Sequence, residues 1–220
     1  AIIMFSYLGW VAAQITALGL VFNLLTQGAV SVTQGMIIGT LIVLVYTLYG
    51  GMWSVAMTDF VQMIVIGVGL LAIAWFAADL AGGADKVVEF AVREGKFQFF
   101  PTGGAKEWTF FVASAITMML GSIPQQDVFQ RVMSSNSAAT ARKGPVIGGL
   151  LYLMFAFIPM FVVVAAVLVM PETAQALLKE DPQKVLPTLV MERMPLMLQV
   201  AFFGALLSAI MSTASATLLA

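Results

Sequence analysis

Residues 206–220 form an apolar segment that is rich in hydroxyl groups, LLSAIMSTASATLLA. The segment carries no charge and is apolar enough to lie in a bilayer. It nevertheless holds five hydroxyl side chains, those of Ser208, Ser212, Thr213, Ser215 and Thr217. Because a hydroxyl buried in hydrocarbon is costly without a partner, something must occupy these oxygens. What occupies them depends on the kind of protein that surrounds the segment.

The whole chain has the composition of a membrane protein. Of its 220 residues, 61% are hydrophobic and 10% are charged, which is far from the average of soluble domains. Most of the charges lie in 79–107, 127–143 and 172–193. The chain has no Cys and no His, which excludes a disulfide, a thiol nucleophile, an imidazole base and the usual zinc sites. We therefore expect a protein that is not an enzyme, and the net charge of −1 argues against a nucleic-acid partner.

Apolar length predicts six membrane-spanning helices. A bilayer core of about 30 Å requires about 20 apolar residues per helix. The six segments that satisfy this are 2–26, 31–49, 58–81, 108–133, 145–170 and 197–220. The two longest connections, 82–107 and 171–196, contain short amphipathic stretches. We expect an all-α, polytopic membrane protein with six transmembrane helices.

The two ends of the chain predict an internal fragment. There is no initiator Met and no signal-peptide pattern, and the sequence stops within an apolar helix. We therefore expect residues 1–220 to be one membrane domain fragment that is truncated at both ends.

The fourth predicted span has an interruption near its middle, at Gly121, Ser122 and Pro124. Proline removes a backbone donor and clashes with the preceding turn. Three polar residues follow: Gln125, Gln126 and Asp127. One interpretation is a broken helix that lines a substrate and ion pathway, as in secondary transporters. The other is an ordinary proline kink whose polar residues already lie at the cytoplasmic surface.

Small residues form a broad face of the last predicted helix, since residues four apart share a face. The two rows of this face are Gly204, Ser208, Ser212 and Ala216, and Ala205, Ala209, Thr213 and Thr217. Such a face permits close helix packing in membranes, with its hydroxyls bonded to carbonyls one turn earlier. The alternative is a cation site, because a hydroxyl that donates to its own helix keeps a lone pair for an ion.

Two further polar positions have alternative interpretations. Asp59 begins the third predicted span, where an ionisable group is a functional candidate by default. Asp59 and Gln62 also have the spacing of a helix N-terminal capping box, and spacing alone favours the cap.

Trp10 lies one turn before Gln14 in the first span. Its depth within the span weakens the interpretation of Trp10 as an interfacial anchor.

Three stretches resemble the sodium/solute symporter family. They are VYTLYGGMWSVAMTDFVQ at 45–62, IPQQDVFQRVMSSNSAATARKG at 123–144 and ALLSAIMSTASATLL at 205–219. Each stretch alone is a weak match to the family. The three together occur in the family's order and at its spacing, which makes the match specific. The resemblance implies a core of two inverted five-helix repeats, as in the amino-acid transporter LeuT. The six spans would then be core helices three to eight.

The resemblance also implies how sodium binds. The Ala209 carbonyl and the hydroxyls of Ser212 and Thr213 would supply about half of a sodium site on the eighth core helix. The rest would come from backbone carbonyls of the broken first core helix, upstream of residue 1. Asp59 resembles an acidic position linked to sodium movement toward the cytoplasm, a role that can coexist with a cap.

For the solute, the resemblance implies binding near Trp10, Gln125 and Gln126, with Asp127 at the inner gate. In sugar-transporting members, an Asn stands at the position of Gln125 and a gating Tyr at that of Asp127. Choline-transporting members are more similar in sequence around IPQQDVFQR, and they have an aromatic residue at a position that Trp10 fits. In those members, however, a Trp stands at the position of Gln125. The resemblance therefore leaves the solute open.

The function that the resemblance implies is secondary active transport, in which sodium influx drives uptake of a small polar solute. Sodium would be the co-transported ion, and the other partners would be the solute and the lipid bilayer of the cell membrane. An alternative is the membrane sensor domain of a symporter-like regulatory histidine kinase. A kinase region downstream of residue 220 would distinguish the two.

Basic residues in short connections predict the orientation of the spans. Arg142 and Lys143 lie in the connection that follows the fourth span, which places that connection in the cytoplasm. The longer connections 82–107 and 171–196, where acidic and basic residues nearly balance, then lie outside.

We predict that Arg142 lies in the cytoplasm and Lys96 outside the cell. In the full-length protein, freed of other accessible cysteines, Lys96→Cys should react with a membrane-impermeant maleimide applied to intact cells, whereas Arg142→Cys should not. Permeabilised cells provide the control, because both positions should then react. Labelling of both positions in intact cells would contradict the six-span topology.

Overall fold

The computed structural model describes residues 2–121, 123 and 125–219, and this part of the chain is helical without a β-strand. The helices are α1 (Ile2–Leu25), α2 (Val32–Leu80), α3 (Ala84–Arg93), α4 (Ala105–Gly121), α5 (Gln126–Met133), α6 (Ala138–Val169), α7 (Pro171–Glu180), α8 (Val185–Arg193) and α9 (Leu196–Leu219). A short 3-10 helix, Pro182–Lys184, precedes α8. The all-α prediction is confirmed.

Among the described residues, four helical stretches are long and apolar enough to cross a membrane: Tyr7–Leu25, Val32–Leu80, Ala138–Val169 and Leu196–Leu218. The structure therefore agrees with a polytopic membrane protein. The second stretch has 49 residues and would extend about 74 Å as a straight helix, more than twice the bilayer core. It contains both the second and the third predicted span.

Gly51 divides α2 into two helical parts. Its backbone angles, φ 55 and ψ −157, are non-helical, and a residue with a Cβ rarely adopts this conformation. A single residue thus separates the two predicted spans, and no loop is needed between them. The helix resumes directly after Gly51, so the second part begins several residues before the predicted start at residue 58.

The predicted interruption of the fourth span is present. Helix α4 ends at Gly121, and α5 begins only at Gln126. Gln125 precedes α5 with an extended backbone (φ −65, ψ 118). Ser122 and Pro124, two of the residues to which the break was attributed, lie outside the described residues.

The chain divides into two compact units, of which the first comprises Ala1–Ile73 and Val190–Ala220. In this unit α1 packs against α9 and closely against the first part of α2. A Cβ built on Gly35 would lie 3.0 Å from the Gly19 carbonyl oxygen and 2.8 Å from the Phe22 Cβ. Only glycine permits this approach, as is common between membrane helices.

A capping box starts α2. The Ser31 hydroxyl accepts a hydrogen bond from the Gln34 N–H at 3.3 Å, and the Gln34 Oε1 accepts one from the Ser31 N–H at 2.9 Å. This reciprocal pair satisfies two backbone donors that the first helical turn leaves without partners. It fixes where the chain enters α2.

The second unit comprises Ala74–Leu189. The amphipathic stretches predicted in the two long connections form α3 and α7, and both pack on α6. Helix α6 begins at Ala138, seven residues before the predicted start at residue 145. Ser137 caps it by accepting a hydrogen bond from the Thr140 N–H at 3.2 Å. Pro145 lies within the helix, so the predicted start of the span at this residue is wrong.

Candidate functional site

Helix α9 places the three predicted sodium ligands close together. Ala209 and Thr213 are four residues apart and share a face, with Ser212 beside them. The Thr213 Oγ1 donates to the Ala209 carbonyl oxygen at 3.0 Å, so two of the three predicted oxygens are neighbours. All three residues are half-buried. The Thr213 hydroxyl oxygen keeps acceptor capacity.

Two other hydroxyls of α9 also bond within the helix. The Ser215 Oγ donates to the Ser212 carbonyl oxygen at 2.9 Å, and the Thr217 Oγ1 donates to the Thr213 carbonyl oxygen at 2.6 Å. Both side chains are buried. Back-bonding is therefore confirmed for Thr213, Ser215 and Thr217. It satisfies the donors and leaves hydroxyl lone pairs available.

The alternative interpretation, close packing of a small-residue face, receives uneven support. Ala205 and Ala216 are buried, as packing requires. Gly204 is exposed, and a Cβ built on it meets no atom of the described chain within 4 Å. Glycine at this position is therefore not needed for a close contact within the part of the chain that the structure describes.

Sequence analysis missed two adjacent polar residues of α2, Tyr46 and Thr47, of which Tyr46 bonds to α9. The Tyr46 hydroxyl donates to the Met211 carbonyl oxygen at 2.9 Å. Thr47 is 5% exposed, and its Oγ1 makes no hydrogen bond to the described residues. The available signal was the adjacent polar pair after the apolar stretch 41–45.

Asp59 lies inside α2, two turns beyond Gly51, and does not begin a helix. The capping-box interpretation is therefore wrong, because the helix resumes directly after Gly51. The Asp59 Oδ1 is buried, and so is the Gln62 Oε1, which accepts no hydrogen bond from the described residues. An aspartate within a membrane helix, with its cap role removed, remains a functional candidate.

The predicted solute residues fall into two sets. Trp10, in α1 of the first unit, is 52% exposed, and Gln14 one turn later is half-buried. In the second unit, Gln125 is exposed and makes no capping hydrogen bond. Gln126 and Asp127 form the start of α5 and are half-buried. The structure thus places the three consecutive residues directly after the break in the fourth span.

A cavity of about 880 Å³ lies in the second unit. Its walls are mostly apolar side chains from α3, from the segment that follows α3, and from α6 and α7. None of the predicted sodium or solute residues lines it. The predicted site residues therefore take no part in this cavity.

Comparison with known proteins decides the family. A family model described as the sodium:solute symporter family matches residues 1–220. The chain belongs to this family. It is therefore an integral membrane protein of a transporter family, and the interpretation that it is not an enzyme is confirmed. No solved structure matches the chain at a significant level.

The similar curated proteins are choline transporters. The chain is 32% identical to the human high affinity choline transporter 1 over 96% of its own length. It is 30% identical to the rat protein of that name over 96% of its length, and 31% identical to that of Torpedo marmorata over 60%. The chain spans 37% of the length of the human relative.

We predict that Asp59→Asn reduces sodium-driven uptake by the full-length protein. Asn keeps the shape of the side chain, and Asp59 has no cap role, so the charge is the main difference. Two unit charges about 4 Å apart in water-like surroundings interact by about 1 kcal/mol, which corresponds to about a fivefold lower rate. Initial uptake rates, normalised to surface expression, measure the effect.

Asp79→Asn is the matched control, because Asp79 lies near the end of the same helix and is exposed. It should leave uptake unchanged. Normal uptake by Asp59→Asn at every sodium concentration would show that the carboxylate has no role in ion movement.

Proposed function

We propose that the full-length protein couples sodium influx to uptake of a small polar solute, and that this solute is choline or a closely related quaternary ammonium compound. The observation that carries the proposal is the match to the sodium:solute symporter family over residues 1–220. The similar curated proteins are transporters, so transport takes precedence over a sensor role.

Sodium binds, in this proposal, to the Ala209 carbonyl and the hydroxyls of Ser212 and Thr213. The 3.0 Å bond between Thr213 and Ala209 supports it, because it holds two oxygens together while the Thr213 hydroxyl oxygen keeps its lone pairs. No carboxylate is needed among these ligands. A neutral set of oxygens suits an ion that must bind and then leave in each transport cycle.

The solute binds near Trp10, Gln125 and Gln126, with Asp127 at the inner gate. The helix break that precedes Gln125 supports this, because non-helical backbone at membrane depth is tolerated where it faces protein or a water-filled cavity. An aromatic ring attracts a quaternary ammonium group through its face, and Trp10 offers one. The carboxylate of Asp127 favours a cation over a neutral sugar.

Coupling follows if sodium and solute favour the same conformation. Each ligand shifts the equilibrium between outward-open and inward-open states only by its difference in affinity for the two. Sodium on α9 stabilises the outward-open form, solute then binds, and rocking of one group of helices against the other releases both inside.

The sodium site is tested by Ser212→Ala and Thr213→Val in the full-length protein. Loss of one neutral oxygen removes about 1 kcal/mol of ion binding, so the sodium concentration for half-maximal uptake should rise about fivefold in each variant. Valine keeps the β-branched shape of threonine, so the loss of packing is small. Sodium-dependent uptake at fixed solute concentration is the measurement.

Two controls separate ion binding from packing. Thr109→Val removes a hydroxyl that also back-bonds, to the Ala105 carbonyl at 2.7 Å, but on exposed α4, and it should leave the sodium response unchanged. Gly204→Val adds bulk to the small-residue face. If both hydroxyl variants keep the wild-type sodium response and only Gly204→Val impairs uptake, the sodium site is wrong and the face serves packing.

The solute is tested by uptake of labelled choline and labelled glucose, with and without sodium. We expect saturable choline uptake that requires sodium, and Gln125→Ala should raise the choline concentration for half-maximal uptake about fivefold, the effect of one lost hydrogen bond. Gln183→Ala, an exposed glutamine in the 3-10 helix, should have no effect. Sodium-dependent glucose uptake without choline uptake would contradict the choline assignment.

A further inference from the structure

Tyr46 links two helices that are distant in the chain. It lies on α2, five residues before Gly51, and its hydroxyl donates to the Met211 carbonyl oxygen on α9 at 2.9 Å. The two residues are 165 positions apart, and both belong to the first unit. This bond joins the first part of α2 to the segment of α9 that carries the predicted sodium ligands.

The position of the bond on α9 gives it a specific consequence. The Met211 carbonyl and the Ser212 N–H belong to one rigid, planar peptide group. A bond that holds the Met211 oxygen therefore restrains the backbone orientation from which the Ser212 side chain projects. On the other side of Ser212, its carbonyl oxygen accepts from the Ser215 Oγ at 2.9 Å.

The two bonds lie on either side of Ser212. Ser215 is fully buried, and Tyr46 is half-buried. The peptide groups on both sides of Ser212 are thus each held by a side-chain hydrogen bond. Tyr46 is the partner that brings this restraint from another helix.

We propose that Tyr46 is a positioning residue for sodium: through the Met211 carbonyl it holds the backbone of α9 so that the oxygens of Ala209, Ser212 and Thr213 face one ion. This rests on the proposed function and adds to it a residue that does not touch the ion. Neutral oxygens bind a cation through dipoles, whose attraction depends strongly on direction, so a small rotation of the Ser212 backbone lowers sodium affinity.

The test is Tyr46→Phe in the full-length protein, which removes the hydroxyl and keeps the ring. The Met211 carbonyl still has its acceptor bond within the helix, so no buried acceptor is left without a partner. We expect the sodium concentration for half-maximal uptake to rise about fivefold, the effect of one hydrogen bond. The maximal rate and the solute concentration for half-maximal uptake, both at saturating sodium, should stay within about twofold of wild type.

Tyr49→Phe is the matched control. Tyr49 lies three residues further along the same helix and is 90% exposed, so its hydroxyl holds nothing on α9. Its variant should show the wild-type sodium response. A merely structural role for Tyr46 predicts a different pattern, in which expression and maximal rate fall while the sodium response stays unchanged, and that pattern overturns the proposal.

A second measurement reads sodium binding without transport. Sodium raises the melting temperature of a protein that binds it, in proportion to the logarithm of its concentration above the dissociation constant. For purified Tyr46→Phe this curve should shift to about fivefold higher sodium. N-methyl-D-glucamine chloride is the salt control, because choline chloride would supply the proposed solute. A curve that coincides with wild type overturns the positioning role even if uptake is impaired.

The outcomes for Tyr46 and for the proposed function are distinguishable. If wild-type uptake and melting temperature both depend on sodium and Tyr46→Phe changes neither dependence, the positioning role is overturned and the function stands. If neither wild-type property depends on sodium, the sodium-coupled function and the positioning role are both overturned. A shift in both curves for Tyr46→Phe alone supports both.

Discussion

A polar group in hydrocarbon must find its partner within the protein, and this constraint shapes α9. Three of its hydroxyls donate to carbonyl oxygens three or four residues earlier in the same helix, at 2.6 to 3.0 Å. This arrangement satisfies every one of these donors without a second helix. It leaves the oxygens with lone pairs and no proton directed away from the helix, which is the chemistry that a hard cation requires. The packing role and the ion role of a hydroxyl-rich helix are therefore compatible.

The same constraint explains where the backbone departs from helix. At Gly51 a single residue changes direction, and helix continues on both sides, so few backbone groups lose their partners. Between Gly121 and Gln126 the interruption is longer, and the polar residues follow directly. A one-residue break needs little compensation. The longer break needs protein or water around it, which is why we place the solute pathway there.

Apolar length could predict that the membrane helices exist, but not where each begins. Apolar length placed the start of the third span at residue 58, next to the capping-box spacing of Asp59 and Gln62, whereas a capping box in the structure is at Ser31 and Gln34. Spacing does not show whether the preceding backbone is already helical. Pro145 likewise lies inside α6. The bond from Tyr46 was beyond sequence reasoning, because a contact across 165 positions depends on how α2 and α9 pack.

The neutrality of the proposed ion site makes such distant contacts important. A carboxylate attracts sodium by its net charge, and this attraction weakens slowly with distance and hardly depends on orientation. A carbonyl or hydroxyl attracts it through a dipole, which must point at the ion. The affinity of a site built from such groups therefore depends on how firmly its backbone is held. For α9 that support includes its own hydroxyls and the Tyr46 bond. A helix that binds sodium without a carboxylate depends, in this view, on the neighbours that fix its carbonyls.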